Sequence, residues 1–219
     1  MRSARKVGGS MLETERDIGS LTGKRVRGPG DSAAPLVVGI GGTIRPSSST
    51  ELAVGAALSA ARAAGARTLL FGAADLQLPL FSPAETRRTP EARALIDAIK
   101  RADGLVIGTP AYHGGVSGLV KNALDYIEDL REDSRPYLHG RAVGCVVTAR
   151  GPQAASALSG LRAVVHALRG WPTPLGVTVN TETTSLAPDG NSTDPRVTAQ
   201  LATMGGQVVD FLRVRAAAY

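Results

Sequence analysis

Five short apolar runs recur along the chain, separated by segments long enough to form helices. The runs are LVVGIG (36–41), RTLLFG (67–72), GLVIGTP (104–110), RAVGCVVT (141–148) and PLGVTVN (174–180). Continuous apolar runs of this length are typical of strands that are buried on both faces, as in a parallel sheet. We therefore predict five buried strands.

Between and after these runs lie five segments with helical character. They are residues 50–64, 90–102, 117–131, 153–169 and 194–215. Pro90 and Pro195 suit the first helical position, and Asp194 suits the cap of the last segment. The alternation predicts an α/β domain with a mostly parallel sheet. Two strand orders are common for such units; in the order 2-1-3-4-5 a ligand binds between the first and third strands.

Residues 1–34 differ in composition from the rest and are rich in Arg, Gly and Ser. Of the net charge of +6, residues 1–30 carry +4, from seven basic and three acidic residues. We predict a basic, flexible arm over 1–34, followed by a single domain over 35–219. Because the charge is concentrated in the arm and aromatic residues make up only 4% of the chain, we expect no nucleic-acid partner.

The cysteine count and the lengths of the apolar segments narrow the class of protein further. The single cysteine, Cys145, excludes an intramolecular disulfide and a cysteine zinc cluster, and its apolar surroundings predict a core position. No apolar stretch reaches the roughly 18 to 20 residues that span a bilayer. The N-terminus lacks the apolar segment of a signal peptide. We expect a cytoplasmic protein without a membrane partner.

The loop after the first apolar run, GIGGTIRPSSSTE (39–51), carries the strongest chemical signal. It lacks the third glycine of a dinucleotide fingerprint and the Gly-Lys-Ser/Thr of a P-loop. Its polar residues are Thr43, Arg45, Ser47, Ser48, Ser49 and Thr50. Hydroxyl groups and an arginine at the start of a helix suit a bound phosphate. The alternative is that Ser49 or Thr50 simply caps the helix.

The loops after the third and fourth runs reach the same edge of the predicted sheet. The first of them contains Pro110, Ala111, Tyr112, His113 and Gly114, and the second contains Thr148, Arg150 and Gly151. In the loop after the third run, backbone groups suit the edge of a planar heterocycle. His113 in this loop is either a surface histidine or a proton-transfer group. The loop after the fourth run either closes one side of a ligand-binding site or forms an ordinary turn.

Side-chain constellations for acid–base, nucleophilic or metal chemistry are not apparent in the sequence. Ser117 lies in GVSGL, which lacks the last glycine of a nucleophile elbow. The three histidines do not have a metal-ligand spacing. We therefore predict no catalytic acid or base and no metal ion.

Together, GIGGTIRPSSSTE and GTPAYHGGVSGLVKNALDY resemble the NADPH-dependent FMN reductases, a family with the flavodoxin-like fold. The likeness covers about residues 36–212. It implies a three-layer sandwich, in which a five-stranded parallel sheet of order 2-1-3-4-5 has helices on both faces. Two departures are Ala111, where the family often has an acidic residue, and TARG (148–151), which lacks a frequent double glycine.

The resemblance also implies roles for the loop residues. Thr43, Arg45, Ser48 and Thr50 would hold the FMN phosphate. The isoalloxazine ring would be lined by Pro110, Ala111, Tyr112, His113 and Gly114. Its far edge would meet Thr148, Arg150 and Gly151. Gly118, Lys121 and Asn122 match positions that shape the second loop and its helix.

The function implied is an NAD(P)H-dependent FMN reductase that supplies reduced flavin to a partner monooxygenase, with FMN and NADPH or NADH as cofactors. Family members are usually dimers or tetramers, and helix 117–131 is our candidate for the interface. One alternative is an enzyme that retains FMN and reduces quinones, azo dyes or a metabolite. Another is a non-catalytic flavodoxin-like electron carrier. Arg87, Arg88 and Arg150 are equal candidates for contact with the NADPH 2′-phosphate.

Overall fold

The structure is a computed structural model that describes residues 34–151 and 154–217. Nearly all of the predicted N-terminal arm therefore lies outside the described residues, and its flexibility stays a prediction. In chain order the elements are β1 (Leu36–Gly41), α1 (Ser49–Ala63), β2 (Arg67–Phe71), α2 (Pro90–Arg101), β3 (Gly104–Tyr112), β4 (Gly115–Val116), α3 (Gly118–Asp125), a 3-10 helix (Tyr126–Leu130), β5 (Ala142–Ala149), α4 (Ala154–Ala167), β6 (Trp171–Pro172), β7 (Val177–Asn180) and α5 (Pro195–Ala217).

The sheet confirms the predicted fold class and strand order. Its strands run β2-β1-β3-β5-β6, and β7 also pairs with β5. All pairs in this path are parallel, with Gly41 beside Gly108 and Pro110 beside Thr148. A buried parallel sheet explains why each predicted strand has a continuous apolar sequence.

The number of strands differs from the prediction, since the sheet contains seven instead of five. The predicted last strand, 174–180, is confirmed only over β7, and a further short strand, β6, precedes it; the two pair with opposite halves of β5. Pro172 and Pro174 lie at this interruption, and proline cannot donate a backbone hydrogen bond to a neighbouring strand. The seventh strand, β4, forms a hairpin with the end of β3.

Polar caps define where the helices begin. The side chains of Ser48, Thr89 and Ser117 accept hydrogen bonds from backbone N–H groups in the first turns of α1, α2 and α3. Asp194 Oδ1 accepts from Arg196 N, next to Pro195 at the start of α5, as predicted. The predicted helix 117–131 is divided into α3 and the 3-10 helix.

Helices cover both faces of the sheet, as predicted. One apolar cluster joins the sheet to α2, α3 and α4, and a second joins it to α1 and α5. Cys145 is fully buried in the first cluster, which confirms its core position, and burial raises the pKa of its thiol to about 12. Among residues 34–151 and 154–217, no helix is both long and apolar enough to cross a bilayer.

The contact between α1 and α5 depends on a glycine. A Cβ atom on Gly205 would collide with the backbone carbonyl oxygen of Ala57, whereas one on Gly206 would meet nothing within 4 Å. We expect Gly205→Ala to lower the free energy of unfolding by about 1 to 3 kcal/mol, because the two helices must move apart. Urea denaturation measures this change. The matched variant Gly206→Ala should leave stability unchanged or raise it by up to about 1 kcal/mol; equal effects would contradict the explanation.

Candidate functional site

The loops that follow β1, β3 and β5 meet at one edge of the sheet. These strands are parallel neighbours, so their carboxyl ends lie side by side. The order of strands reverses between β1 and β3, where open α/β sheets bind ligands. The three loops that we singled out in the sequence are therefore adjacent.

The start of α1 presents a row of free backbone donors. In the described part of the chain, the N–H groups of residues 47–50 donate to no protein acceptor. The Ser48 hydroxyl oxygen caps the helix by accepting from Glu51 N at 3.3 Å, and its own proton remains available. A helix N-terminus with unpaired N–H groups is a favourable site for an anion.

The chain enters this helix through a tight polar turn. Thr43 Oγ1 accepts a hydrogen bond from Arg45 N at 3.1 Å. Ser47 adopts a left-handed backbone conformation, with φ of +54°, immediately before the cap. The guanidinium of Arg45 is exposed and bonds to no residue that the structure describes. Arg45 is therefore free to approach a ligand at the start of α1.

Two of the predicted ligands are buried and contact each other. The hydroxyl oxygens of Thr50 and Thr148 lie 2.6 Å apart, and both residues are nearly inaccessible to solvent. This bond joins the first turn of α1 to the end of β5. The bond fixes the spacing between the first and third loops. The roles predicted for these two hydroxyl groups as flavin ligands stay predictions.

The segment after β3 is more regular than predicted. Instead of an irregular loop, β3 continues to Tyr112 and turns into β4. The two turn residues, His113 and Gly114, have φ of +52° and +77°, the signature of a type I′ hairpin. Tyr112 is 59% exposed and His113 is exposed, so this hairpin presents an aromatic ring to solvent.

Hydrogen bonds hold the hairpin in place from both sides. Thr109 Oγ1 accepts from Ser117 N at 2.9 Å and donates to the carbonyl of Pro110 at 3.0 Å. Ser156 Oγ in α4 donates to the carbonyl of Gly114 at 3.1 Å. The hairpin is thus anchored to the rest of the domain, which suits a surface that positions a ligand.

The third loop is anchored on its far side. Gly151 N donates to Asn180 Oδ1 at 3.1 Å, and Gly151 has φ of +79°. Arg150 is exposed, and residues 152–153 lie outside the described residues. A cavity of about 420 Å³ extends from Gly151 towards Asn180 and the start of α5, away from the first loop. Of the predicted flavin ligands, Gly151 lines this cavity, whereas Arg45, Tyr112, His113 and Arg150 are exposed on the surface.

The donor set fits a flavin mononucleotide. Free N–H groups, a hydroxyl and an arginine suit the phosphate, whereas the anchored hairpin and its exposed aromatic ring suit a planar heterocycle. A match to a family model over residues 35–184, more than half of the chain, carries the description NADPH-dependent FMN reductase. The chain belongs to this family.

Curated relatives of the chain are similar to it over part of their length. The FMN-dependent NADPH-azoreductase of Staphylococcus haemolyticus is 35% identical over 94 residues, which are 43% of this chain and 47% of that protein. The chain spans about half the length of the curated relatives it matches. Family membership confirms the predicted cofactors FMN and NADPH.

Solved structures support the flavodoxin-like fold of the chain. The flavoenzyme NAD(P)H:(acceptor) oxidoreductase of Paracoccus denitrificans matches with a TM-score of 0.62 at 20% identity, covering 83% of this chain and 98% of that chain. The flavodoxin, WrbA-like protein of Agrobacterium tumefaciens matches with a TM-score of 0.56 at 16% identity, covering 82% and 98%.

The structure reveals contacts that the sequence did not predict. Glu51 Oε2 accepts from Ala73 N at 3.3 Å, and Asp75 Oδ2 accepts from Gly72 N at 3.1 Å. Two carboxylates therefore lie at the end of β2, although the strand itself ends without an acidic residue. The only sequence signal was the spacing of Ser48 and Glu51, which is that of a capping box.

A long loop follows β2 and is held by the helices after β4. The Asn122 side chain accepts from Phe81 N at 2.8 Å and donates to the carbonyl of Pro79 at 2.9 Å. The resemblance had implied that Asn122 shapes the second loop and its helix. These contacts of its side chain anchor the loop after β2 instead. Lys121 forms an ion pair with Asp125 at 2.6 Å.

One candidate for the NADPH 2′-phosphate is already engaged. Arg88 makes two hydrogen bonds of 2.8 Å to the Asp129 carboxylate and stacks on the rings of Phe81 and Tyr126. The bond to Asp129 raises the pKa of Arg88. Arg88 therefore clamps the loop after β2, which leaves Arg87 and Arg150 as the candidates with exposed side chains.

Proposed function

We propose that the chain is an NADPH:FMN oxidoreductase that transfers a hydride from NADPH to FMN and supplies reduced flavin to a partner monooxygenase. The observation that carries the proposal is the row of N–H groups at residues 47–50, which have no acceptor among the described residues, next to the guanidinium of Arg45, which has no partner there either. A phosphate would accept hydrogen bonds from both the N–H groups and the guanidinium. The chemistry supplied by bound FMN is acceptance of a hydride from the nicotinamide and its passage to an acceptor.

The residues of this chain would bind and orient the reactants. Arg45, Ser48 and the start of α1 would hold the phosphate, which fixes one end of the flavin. The hairpin at 112–115 would support the ring, because Ser156 donates to the carbonyl of Gly114 and Thr109 bonds to the residues that flank the hairpin, Pro110 and Ser117. No side chain is required as an acid or base, so orientation and electrostatics account for the protein's contribution.

A second candidate function is reduction of an azo compound or quinone by an enzyme that retains its FMN. It is supported by the curated relatives, among them the NADPH azoreductase of Bacillus sp. strain OY1-2. The two functions differ in kinetics. Free FMN behaves as a saturable substrate in the first, and bound FMN with ping-pong turnover of an azo dye is expected in the second.

Steady-state assays test the proposal. Purified protein should oxidise NADPH only when FMN is present, and the rate should saturate with FMN. The same assay with NADH gives the nucleotide preference. If neither nucleotide supports FMN-dependent turnover, the proposal is wrong; a requirement for a separate reductase would instead support an electron carrier.

A further inference from the structure

The first turn of α1 contains a capping box that is only half formed. Ser48 and Glu51 have the required spacing, and Ser48 Oγ accepts from Glu51 N. In a complete box the acidic side chain accepts from the N–H of the cap residue. Here Glu51 turns away to accept from Ala73 N, and within residues 34–151 and 154–217 the N–H of Ser48 has no acceptor. The arrangement leaves one more donor for an anion.

The same arrangement keeps a negative charge beside the anion site. Glu51 is half-buried and forms no ion pair with any residue that the structure describes. Asp75 adds a second carboxylate at the end of β2. Arg62 lines the same small cavity as Glu51, but its guanidinium donates to Thr68 Oγ1 at 2.6 Å and 3.2 Å. Within the part of the chain that the structure describes, the Glu51 carboxylate is thus not neutralised by a direct partner.

This charge opposes the attraction that the helix and Arg45 exert on a phosphate. Glu51 lies three positions after Ser48, which is a rise of about 4.5 Å between their backbones along a helix axis and well within the ~10 Å screening length at 0.1 M salt. We propose that Glu51 is a specificity-determining residue that weakens FMN binding and keeps the flavin exchangeable. This inference rests on the proposed function and deepens it, because an enzyme that supplies reduced flavin must release it.

Flavin titrations of wild-type protein and Glu51→Gln test the inference. Glutamine retains an oxygen that accepts from Ala73 N, so the fold is preserved while the charge is lost. We expect Glu51→Gln to bind FMN about tenfold more tightly and to release it more slowly. Riboflavin, which has no phosphate, should change less than about twofold. The matched control is Glu91→Gln, which removes the first-turn acid of α2 and should leave FMN binding unchanged.

Salt provides a second readout of the same charge. The FMN affinities of wild type and Glu51→Gln should converge between about 0.01 M and 1 M salt, as the screening length falls from ~30 Å to ~3 Å. Unchanged or weaker FMN binding by Glu51→Gln overturns the inference and leaves the proposed function intact. If wild-type protein binds neither flavin, the inference and the proposed function both fail.

Discussion

Replacing Arg141 with methionine should lower the free energy of unfolding by about 3 to 5 kcal/mol. Arg141 is fully buried, and its guanidinium donates to the carbonyls of Ala102 at 3.0 Å, Lys100 at 2.9 Å and Tyr137 at 3.0 Å. Two of these acceptors are the orphan carbonyls at the end of α2. Methionine fills much of the volume but leaves the buried acceptors without donors, each at a cost of about 1 to 3 kcal/mol.

Burial lowers the pKa of Arg141 to about 10, so the side chain is still a cation at neutral pH. A cation at the C-terminal end of α2 also interacts favourably with the helix dipole. Urea denaturation measures the loss of stability. The matched control is Arg131→Met, an exposed arginine paired with Glu128 and Glu132, which should cost less than about 1 kcal/mol. Similar losses of unfolding free energy in both variants would show that the buried hydrogen bonds of Arg141 do not stabilise the fold.

Removing Arg45 and the Ser48 hydroxyl together should weaken FMN binding about a hundredfold. A hydrogen bond to a charged group such as the phosphate contributes about 1.5 to 3 kcal/mol, so the loss of two such bonds at the lower end of this range, about 3 kcal/mol, corresponds to about two powers of ten in affinity. The change tested is Arg45→Ala with Ser48→Ala. Fluorescence titration with FMN measures the affinity.

The control for this double variant must also remove a helix cap. Arg87→Ala with Thr89→Ala does so, because Thr89 caps α2 in the way that Ser48 caps α1. Both double variants should lose about 0.5 to 2 kcal/mol of stability. Only the first should lose FMN affinity; equal FMN affinity in the two would refute the assignment of the phosphate site.

The elements of the fold were largely predictable because their signals are local. The buried strand β1 begins and ends where its apolar run does, and Pro90 marks the first residue of α2. The interruption between β6 and β7 was not predictable, because it depends on which half of β5 each segment pairs with. The hairpin at His113 and Gly114 was missed because histidine is not the usual residue for such a turn.

The candidate site was predictable in position but not in its internal contacts. Strand order and loop composition placed the three loops at one edge of the sheet. The bond between Thr50 and Thr148 joins residues 98 apart in sequence, and the bond between Glu51 and Ala73 joins neighbouring loops. Neither follows from any local pattern, since both depend on the close approach of strand ends in the folded sheet.

The central claim is that the start of α1 binds the phosphate of FMN. The most direct test is to titrate the wild-type protein with FMN and with riboflavin under the same conditions. Our account predicts that FMN binds about a hundredfold more tightly, because only FMN carries the phosphate that the free N–H groups of residues 47–50 and Arg45 would bind. Equal affinities for the two flavins would contradict it.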